Sequence, residues 1–259
     1  MASTYTLPEG FLEGPARNLQ RSQIDFAKEG LHEYDGQWAV ILDGVLSEEE
    51  CEQLVAAAEA TTHGEWARAL INIGGGMQAM YEDTRKCGRI IWDTKEIMAK
   101  LWARIEGSVP EIHSLYKQAD ITGNGPAKRN EVWKVTRLNE RARFLKYVGG
   151  EYFKAHCDGC YETPDGEERS YFTLHLYLND PESVKDGQEP LEGGATTFYS
   201  WNMRERIDVT PKCGRVLMFQ HRNLLHSGDD VIRGLKLTMR TDLMYTKEEK
   251  VPTETDTPT

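Results

Sequence analysis

From about residue 132 to residue 245 the chain breaks into short segments of strand length separated by turns, and this succession most constrains how it can fold. The segments are EVWKVTRL, ARFLKYV, YFKAHCD, SYFTLHLYL, ATTFY, IDVT, GRVLMFQH and LKLTMRTDLMY. So many short strands in series predict a sandwich or a barrel-like double sheet. Upstream, WAVILDGVL (38–46) predicts one more strand. A helix is expected over SEEECEQLVAAAEA, with Ser47 as N-cap and Glu50 as its capping-box partner. A second helix fits TKEIMAKLWARIEG, where Ile97, Met98, Leu101, Trp102 and Ile105 form one apolar stripe. Helices come first and strands later, so the simplest architecture is α+β with the helices braced against one sheet.

A chain of 259 residues can bury a sizeable core as a single catalytic domain. Its mixed, polar start reads as an N-terminal arm over residues 1–35, followed by one domain over 36–246. Residues 247–259 read as a disordered tail, because that stretch has almost no apolar side chains to offset its ordering entropy. The three glycines of INIGGGMQ suggest a flexible loop, without the spacing or the lysine of a phosphate loop. With 31 basic and 42 acidic residues the formal charge is -11, which argues against nucleic acid as a partner. Five cysteines make no disulfide framework, and MASTYTLPEGFLEG lacks a basic start followed by an apolar run. No apolar run reaches membrane-spanning length. The expectation is an intracellular, cytoplasmic protein with no membrane partner and an oligomeric state that the sequence leaves open.

The stretch FKAHCDGCYE (153–162) carries the first chemical signal. On an extended chain His156 and Asp158 project from one face and can share an ion, while Cys157 points the other way. Cys157 and Cys160 also form a Cys-x-x-Cys pair, open to a dithiol or half a zinc site. A third ligand can come from His221 or His226, both within RVLMFQHRNLLHSGDD. Two histidines and one carboxylate leave open positions that suit ferrous oxygenase chemistry, although zinc accepts the same set. Ten residues past His226, Lys236 opens a strand on which Lys236, Thr238, Arg240 and Asp242 share one face. A buried cation beside a metal needs an anion, and a dicarboxylate bridging metal and lysine would satisfy both. In SYFTLHLYLND, Tyr171, Thr173, His175 and Tyr177 form a polar face suited to lining a pocket, with Phe172, Leu174, Leu176 and Leu178 turned to the core.

Taken in order, Tyr147, the HCD of 156–158, the YLND of 177–180, EGGATTF at 192–198, and His226 with Lys236 ten residues on resemble the prolyl 4-hydroxylase-like branch of the iron(II)/2-oxoglutarate-dependent dioxygenases. VILDGVLSEEECEQLV resembles the start of that domain, so the likeness spans about residues 38–246. It implies a double-stranded β-helix, or jelly roll, with supporting helices on the major sheet. It also implies His156, Asp158 and His226 as iron ligands, with Lys236 pairing the distal carboxylate of 2-oxoglutarate. Tyr177 and Tyr147 match tyrosines beside that co-substrate, and Arg240 is a rival anchor to Lys236. His221 is left as a packing residue or a partner behind the ligands. Cys157 then becomes the core-facing residue between two ligands, and Cys160 a turn residue near the site.

The activity implied is hydroxylation of an unactivated C–H bond in an amino acid, a peptidyl residue such as proline, or a small metabolite. Fe(II), 2-oxoglutarate and dioxygen are consumed or required, ascorbate serves as reductant, and succinate and carbon dioxide are released. The carboxylate of Asp158 favours hydroxylation, since halogenating relatives carry a small residue there. Arg85, Arg89, Asn139, Arg141 and Arg143 are candidates to meet a substrate carboxylate or peptide backbone. The alternative from another class is a non-oxidative or catalytically idle metal-binding jelly roll.

Overall fold

The computed structural model describes residues 5–16, 18–74, 77–184 and 187–248, with the backbone alone over 71–74 and 77–78. The strands that position the site are β1 (Gln20–Gln23), β2 (Ala39–Asp43), β3 (Arg85–Lys86), β4 (Gly88–Asp93), β5 (Val132–Leu138), β6 (Arg141–Val148), β7 (Tyr152–His156), β8 (Glu168–Tyr177), β9 (Thr196–Tyr199), β10 (Arg206–Val209), β11 (Val216–Gln220), β12 (His226–Gly228) and β13 (Leu235–Lys247). The major sheet runs β1-β2-β11-β8-β13-β6-β4 with short strands at its edges, and every pairing named here is antiparallel. A smaller sheet runs β10-β9-β12-β7-β3. Their inward residues meet, Tyr177, Leu217 and Phe219 of the major sheet packing with Phe198, Ile207 and Val209 of the minor one. Two facing antiparallel sheets around one interior make the double-stranded β-helix.

Period-two alternation sorts each strand's side chains between the two faces of the major sheet. On β8, Phe172, Leu174 and Leu176 turn outward into a core shared with Leu54, Leu101 and Trp102 of the two helices. These are α1 (Glu48–Thr61) and α2 (Lys95–Ile105), and α2 buries the stripe read from the sequence. Thr173, His175 and Tyr177 turn inward. Tyr171 does not follow them: Ser170 pairs with Met244 and Phe172 with Leu243, so Tyr171 is the extra residue of a β-bulge. Its ring packs instead on Trp133 and Tyr245.

Within the expected arm, the described residues contribute to the core. Phe11, Leu12, Ile24, Phe26, Leu31 and Tyr34 are buried, and β1 adds an edge strand against β2. Their apolar residues fall at irregular intervals, so they carry no period for a sequence reading to detect, yet Phe11 and Leu12 join one core cluster and Ile24, Phe26, Leu31 and Tyr34 another. Around the glycine run, Ile71–Gly74 pairs with Met77–Ala79, while Gly75 and Gly76 lie outside the described residues. Strand β13 ends at Lys247, and residues 249–259 of the expected tail also lie outside them.

Helix α1 starts at the expected capping box. Ser47 Oγ accepts from the Glu50 amide at 3.1 Å, and Glu50 Oε2 accepts from the Ser47 amide at 2.9 Å. Arg104 of α2 then clamps Glu50 through two contacts of 2.7 and 2.9 Å, tying the helices together. Ser47→Ala removes one acceptor while leaving that clamp, and is expected to lower stability by about 1 kcal/mol, read as a reduced urea midpoint at unchanged slope.

Candidate metal centre and co-substrate pocket

Strands β7 and β12 lie side by side in the minor sheet, in a register that sets His156 opposite His226. Opposed residues of an antiparallel pair hold their side chains close, and the two imidazoles have centroids 4.5 Å apart. His156 Nδ1 lies 2.8 Å from the Lys154 carbonyl and His226 Nδ1 lies 3.0 Å from the Leu224 carbonyl. A carbonyl can only accept, so each Nδ1 carries the proton and each Nε2 presents a lone pair. Asp158 completes the group, with Oδ1 3.6 Å from His156 Nε2 and Oδ2 3.7 Å from His226 Nε2. All three ligand atoms fall within 4.8 Å of one another. Phe153 stacks on His156 at 3.7 Å between centroids, and Phe219 meets His226 edge-on at 4.6 Å. Burial holds His226 neutral, lowering it to about 4.

Asp158 reaches this position by a route the sequence did not give. Strand β7 ends at His156, so Asp158 lies on the following loop and alternation no longer fixes its direction. Two contacts from the major sheet hold it instead: Thr173 Oγ1 donates to Oδ2 at 2.5 Å and Arg240 Nη2 lies 3.0 Å from the same oxygen. Burial alone would raise the carboxyl, but Arg240, His226 and His156 keep it well below the usual carboxylate range. The end of the strand also corrects the expectation for Cys157. Beyond the ladder its side chain turns to solvent, and Cys157 and Cys160 are both exposed free thiols.

Arg240, the rival anchor, is engaged on both sides, since its Nη2 also lies 3.2 Å from Asp242 Oδ1. Arg143 Nη1 donates to Asp242 Oδ2 at 3.1 Å. Buried His221 has its Nε2 3.6 Å from Asp242 Oδ1, beyond hydrogen-bond reach, and neither ring nitrogen has a partner among the described residues. Although burial opposes its charge, Asp242 and Cys160 raise His221 to about 9. Thus Arg240, Arg143, Asp242 and His221 form a charged layer behind Asp158.

Lys236 lies in the same pocket under different conditions. Only 1% of its surface is exposed, and no acid pairs with it among the described residues. Its Nζ stands 5.2 Å from the Tyr147 ring centroid and 6.0 Å from that of Tyr177. Desolvation brings it down to about 8. Tyr147 lies directly opposite Lys236 across β6 and β13. Tyr177 donates to Thr196 Oγ1 at 2.6 Å. Buried His175 Nε2 and Thr238 Oγ1 lack partners among the described residues. Burial, with Lys236 and Arg240 nearby, keeps His175 neutral. Gly194, one of the glycines of EGGATTF, has φ +71°, and a Cβ there would stand 3.0 Å from Lys236 Cδ. The glycine therefore leaves room for the lysine stem.

These residues fit an iron and a dicarboxylate. The donor set of two imidazoles and one carboxylate leaves coordination positions open, and the buried cation and orphaned polar atoms beside it lack an anionic partner. The candidates for substrate contact divide. Arg85 lines the pocket, and Arg89, which reaches the Leu70 carbonyl at 3.4 Å, stands near Arg85 and Arg143. Arg141 pairs with Asp93 at 2.8 and 2.9 Å, half exposed. Asn139 is engaged in the turn before β6, its Oδ1 accepting from the Arg141 amide at 2.9 Å. Of Thr173, His175, Thr196 and Gly194, the first two were expected only as part of a pocket-lining face and the others were not singled out. The polar face of β8 carried the signal for the first two, whereas Thr196 and Gly194 act through proximity that no local pattern encodes.

Residues 142–241 match the model of the 2OG-Fe(II) oxygenase superfamily. The chain carries a 2OG-Fe(II) oxygenase domain. Its fold is shared with a prolyl-4-hydroxylase of Pseudomonas putida, 16% identical, with a TM-score of 0.50 over 84% of this chain and 98% of that one. It is also shared with a prolyl hydroxylase of Trichoplax adhaerens, solved with a hypoxia inducible factor peptide fragment, 13% identical, with a TM-score of 0.51 over 84% of this chain and 88% of that one. No curated protein matches the chain. The oxygenase domain contains all three metal-centre residues, together with Tyr147, Tyr177, Lys236 and Arg240.

Lys236 gives a test that needs no catalysis. Its folded pKa of about 8 lies below the ordinary lysine value of 10.5, so the unfolded chain binds that proton more tightly. The buried cation thus costs stability below about pH 8, and the cost fades as pH rises toward the unfolded value. In the ligand-free oxygenase Lys236→Met is expected to raise stability by about 1–3 kcal/mol at pH 7, with a smaller gain near pH 10, read by chemical denaturation. Arg240→Ala is expected to act in the opposite direction, loosening Asp158 and weakening manganese(II) affinity roughly 10-fold or more by calorimetry.

Proposed function

We propose that this oxygenase hydroxylates an unactivated C–H bond of an amino acid, a peptidyl residue such as proline, or a small metabolite. The observation that carries the reading is an acid-free, buried Lys236 in one pocket with the triad of His156, Asp158 and His226. That pocket offers a cation for a distal carboxylate at its closed end and an open metal face at the other. Iron(II) bound there with 2-oxoglutarate and dioxygen supplies the oxidising power for C–H hydroxylation, with succinate and carbon dioxide as accompanying products and ascorbate as the reductant that keeps iron ferrous.

The residues of the chain divide the remaining work. His156 and His226 present Nε2 to the metal because their Nδ1 protons are tied to backbone carbonyls. Thr173 and Arg240 hold Asp158 to one orientation, which fixes the third coordination direction. Arg240 is thereby occupied as a positioning residue, and Lys236 takes the role of co-substrate anchor. The rings of Tyr147 and Tyr177 flank the Lys236 ammonium, and the aromatic rings of Phe153 and Phe219 limit access of water to the ligands. The hydroxylases that share the fold act on prolyl residues by name, which supports a peptidyl substrate among the three classes without selecting it.

Succinate release from 2-oxoglutarate with iron(II), ascorbate and a substrate library is the direct test. Activity in the parent and its loss in His226→Ala, with His221→Ala far milder, is the expected result. Lys236→Ala is expected to bind metal normally and to weaken 2-oxoglutarate roughly 100-fold or more, because a desolvated anion loses its main partner. Metal and 2-oxoglutarate binding with no succinate from any candidate would leave an idle jelly roll in place of an enzyme.

A further inference from the structure

The pocket holds a second cationic pole that the co-substrate does not account for. Arg85 lies on β3, at the edge of the minor sheet, where Arg85 pairs with Phe153 of β7. Its guanidinium carbon stands 4.5 Å above the Phe153 ring centroid. Phe153 in turn stacks on the ligand His156 at 3.7 Å, with the planes 25° apart. One aromatic ring therefore separates the guanidinium from a metal ligand. Arg85 Nε is engaged by Cys87 Sγ at 3.3 Å, and no carboxylate pairs with Arg85 among the described residues. The Tyr147 hydroxyl is its other polar neighbour, and no carboxylate occupies its Nη groups among the described residues. The other arginines of this region contrast with it, since Arg141, Arg143 and Arg240 each hold an aspartate.

Depth separates the two poles. Lys236 is at the closed end with 1% exposure, whereas Arg85 is only partly buried and lies at the outer side, beside the half-open His156. A co-substrate enters first and occupies the closed end, and the second reactant must lie between the metal and solvent. We propose that Arg85 is a specificity-determining residue that binds the carboxylate of a small carboxylate-bearing substrate, holding the carbon to be oxidised over the metal face next to His156. A planar carboxylate matches the two Nη donors in a bidentate fork, and the Phe153 face fixes the plane of the guanidinium. Neutral analogues would leave that guanidinium without its anion and bind more weakly. This inference rests on the oxygenase reading above, and it narrows the substrate to an acid.

The test uses the full chain loaded with manganese(II) and saturating 2-oxoglutarate, with N-acetylglycine as the probe and N-acetylglycinamide as its uncharged control. Paramagnetic broadening of the probe's methyl resonance by manganese reports binding near the metal without turnover. The expected result is broadening by the acid at concentrations where the amide shows none, with apparent affinity for the acid falling about 10-fold or more in Arg85→Gln and partly restored in Arg85→Lys. The affinity for 2-oxoglutarate, titrated separately, is expected to stay within about twofold in Arg85→Gln, and thermal unfolding checks that each variant is folded. Equal broadening by acid and amide would overturn the proposal. So would a loss of 2-oxoglutarate affinity in Arg85→Gln matching that in Lys236→Ala, which would assign Arg85 to the co-substrate. Failure of the parent to bind manganese or 2-oxoglutarate would overturn the oxygenase reading itself, and this subsite with it.

Discussion

Between the two sheets, with Thr173, His175 and Thr196 beside them, lie His156, Asp158, His226, Lys236, Arg240 and Asp242. A layer of charge in that position is tolerable only if its members compensate one another, because isolated buried ions cost several kcal/mol each. Asp158 and Asp242 share Arg240, and Asp242 also takes Arg143. Lys236 at the closed end and Arg85 further out have no carboxylate partner among the described residues. A divalent metal and a dianionic co-substrate add equal and opposite charge, so joint occupancy would leave the net charge of the layer unchanged and give Lys236 a partner. Either one alone would not. This constraint explains why the metal face and the lysine share one pocket.

The site is built mostly on strands, and this gives its parts unequal rigidity. His156 and His226 are fixed by their register across β7 and β12, and Lys236, Arg240 and Asp242 by alternation along β13. Asp158 is the exception. Its position on the loop depends on Thr173 and Arg240 of the opposite sheet, so the third member of the candidate metal centre is set by contacts between the sheets. Any change that shifts one sheet against the other would act on the metal centre through this carboxylate first.

The parts of the fold carried by period were legible in the sequence. The alternation of β13, and of β8 from Phe172 onward, gave the right faces, and the stripe of α2 and the capping box of α1 were seen where the structure has them. What was not legible lacks a local signature. The bulge that removes Tyr171 from the pocket is one residue long. The buried side chains of the first 35 residues have no regular spacing. The end of β7 at His156, which turns Cys157 outward, depends on where the partner strand β12 stops offering hydrogen bonds.

The choice between Lys236 and Arg240 shows the same limit at the site. Both lie on one face of β13, four residues apart, and spacing treats them alike. Their difference is in what faces them from other strands. Arg240 sits opposite Arg143 and His175 and reaches Asp158 and Asp242, while Lys236 sits opposite Tyr147, beside the wall that Gly194 keeps open. Arg240 has its Nη2 committed to two carboxylates, and the Lys236 ammonium, facing aromatic rings, has no acid partner among the described residues. The free cation at the closed end of the pocket is therefore the one suited to an incoming carboxylate, and the committed one is suited to holding a ligand still.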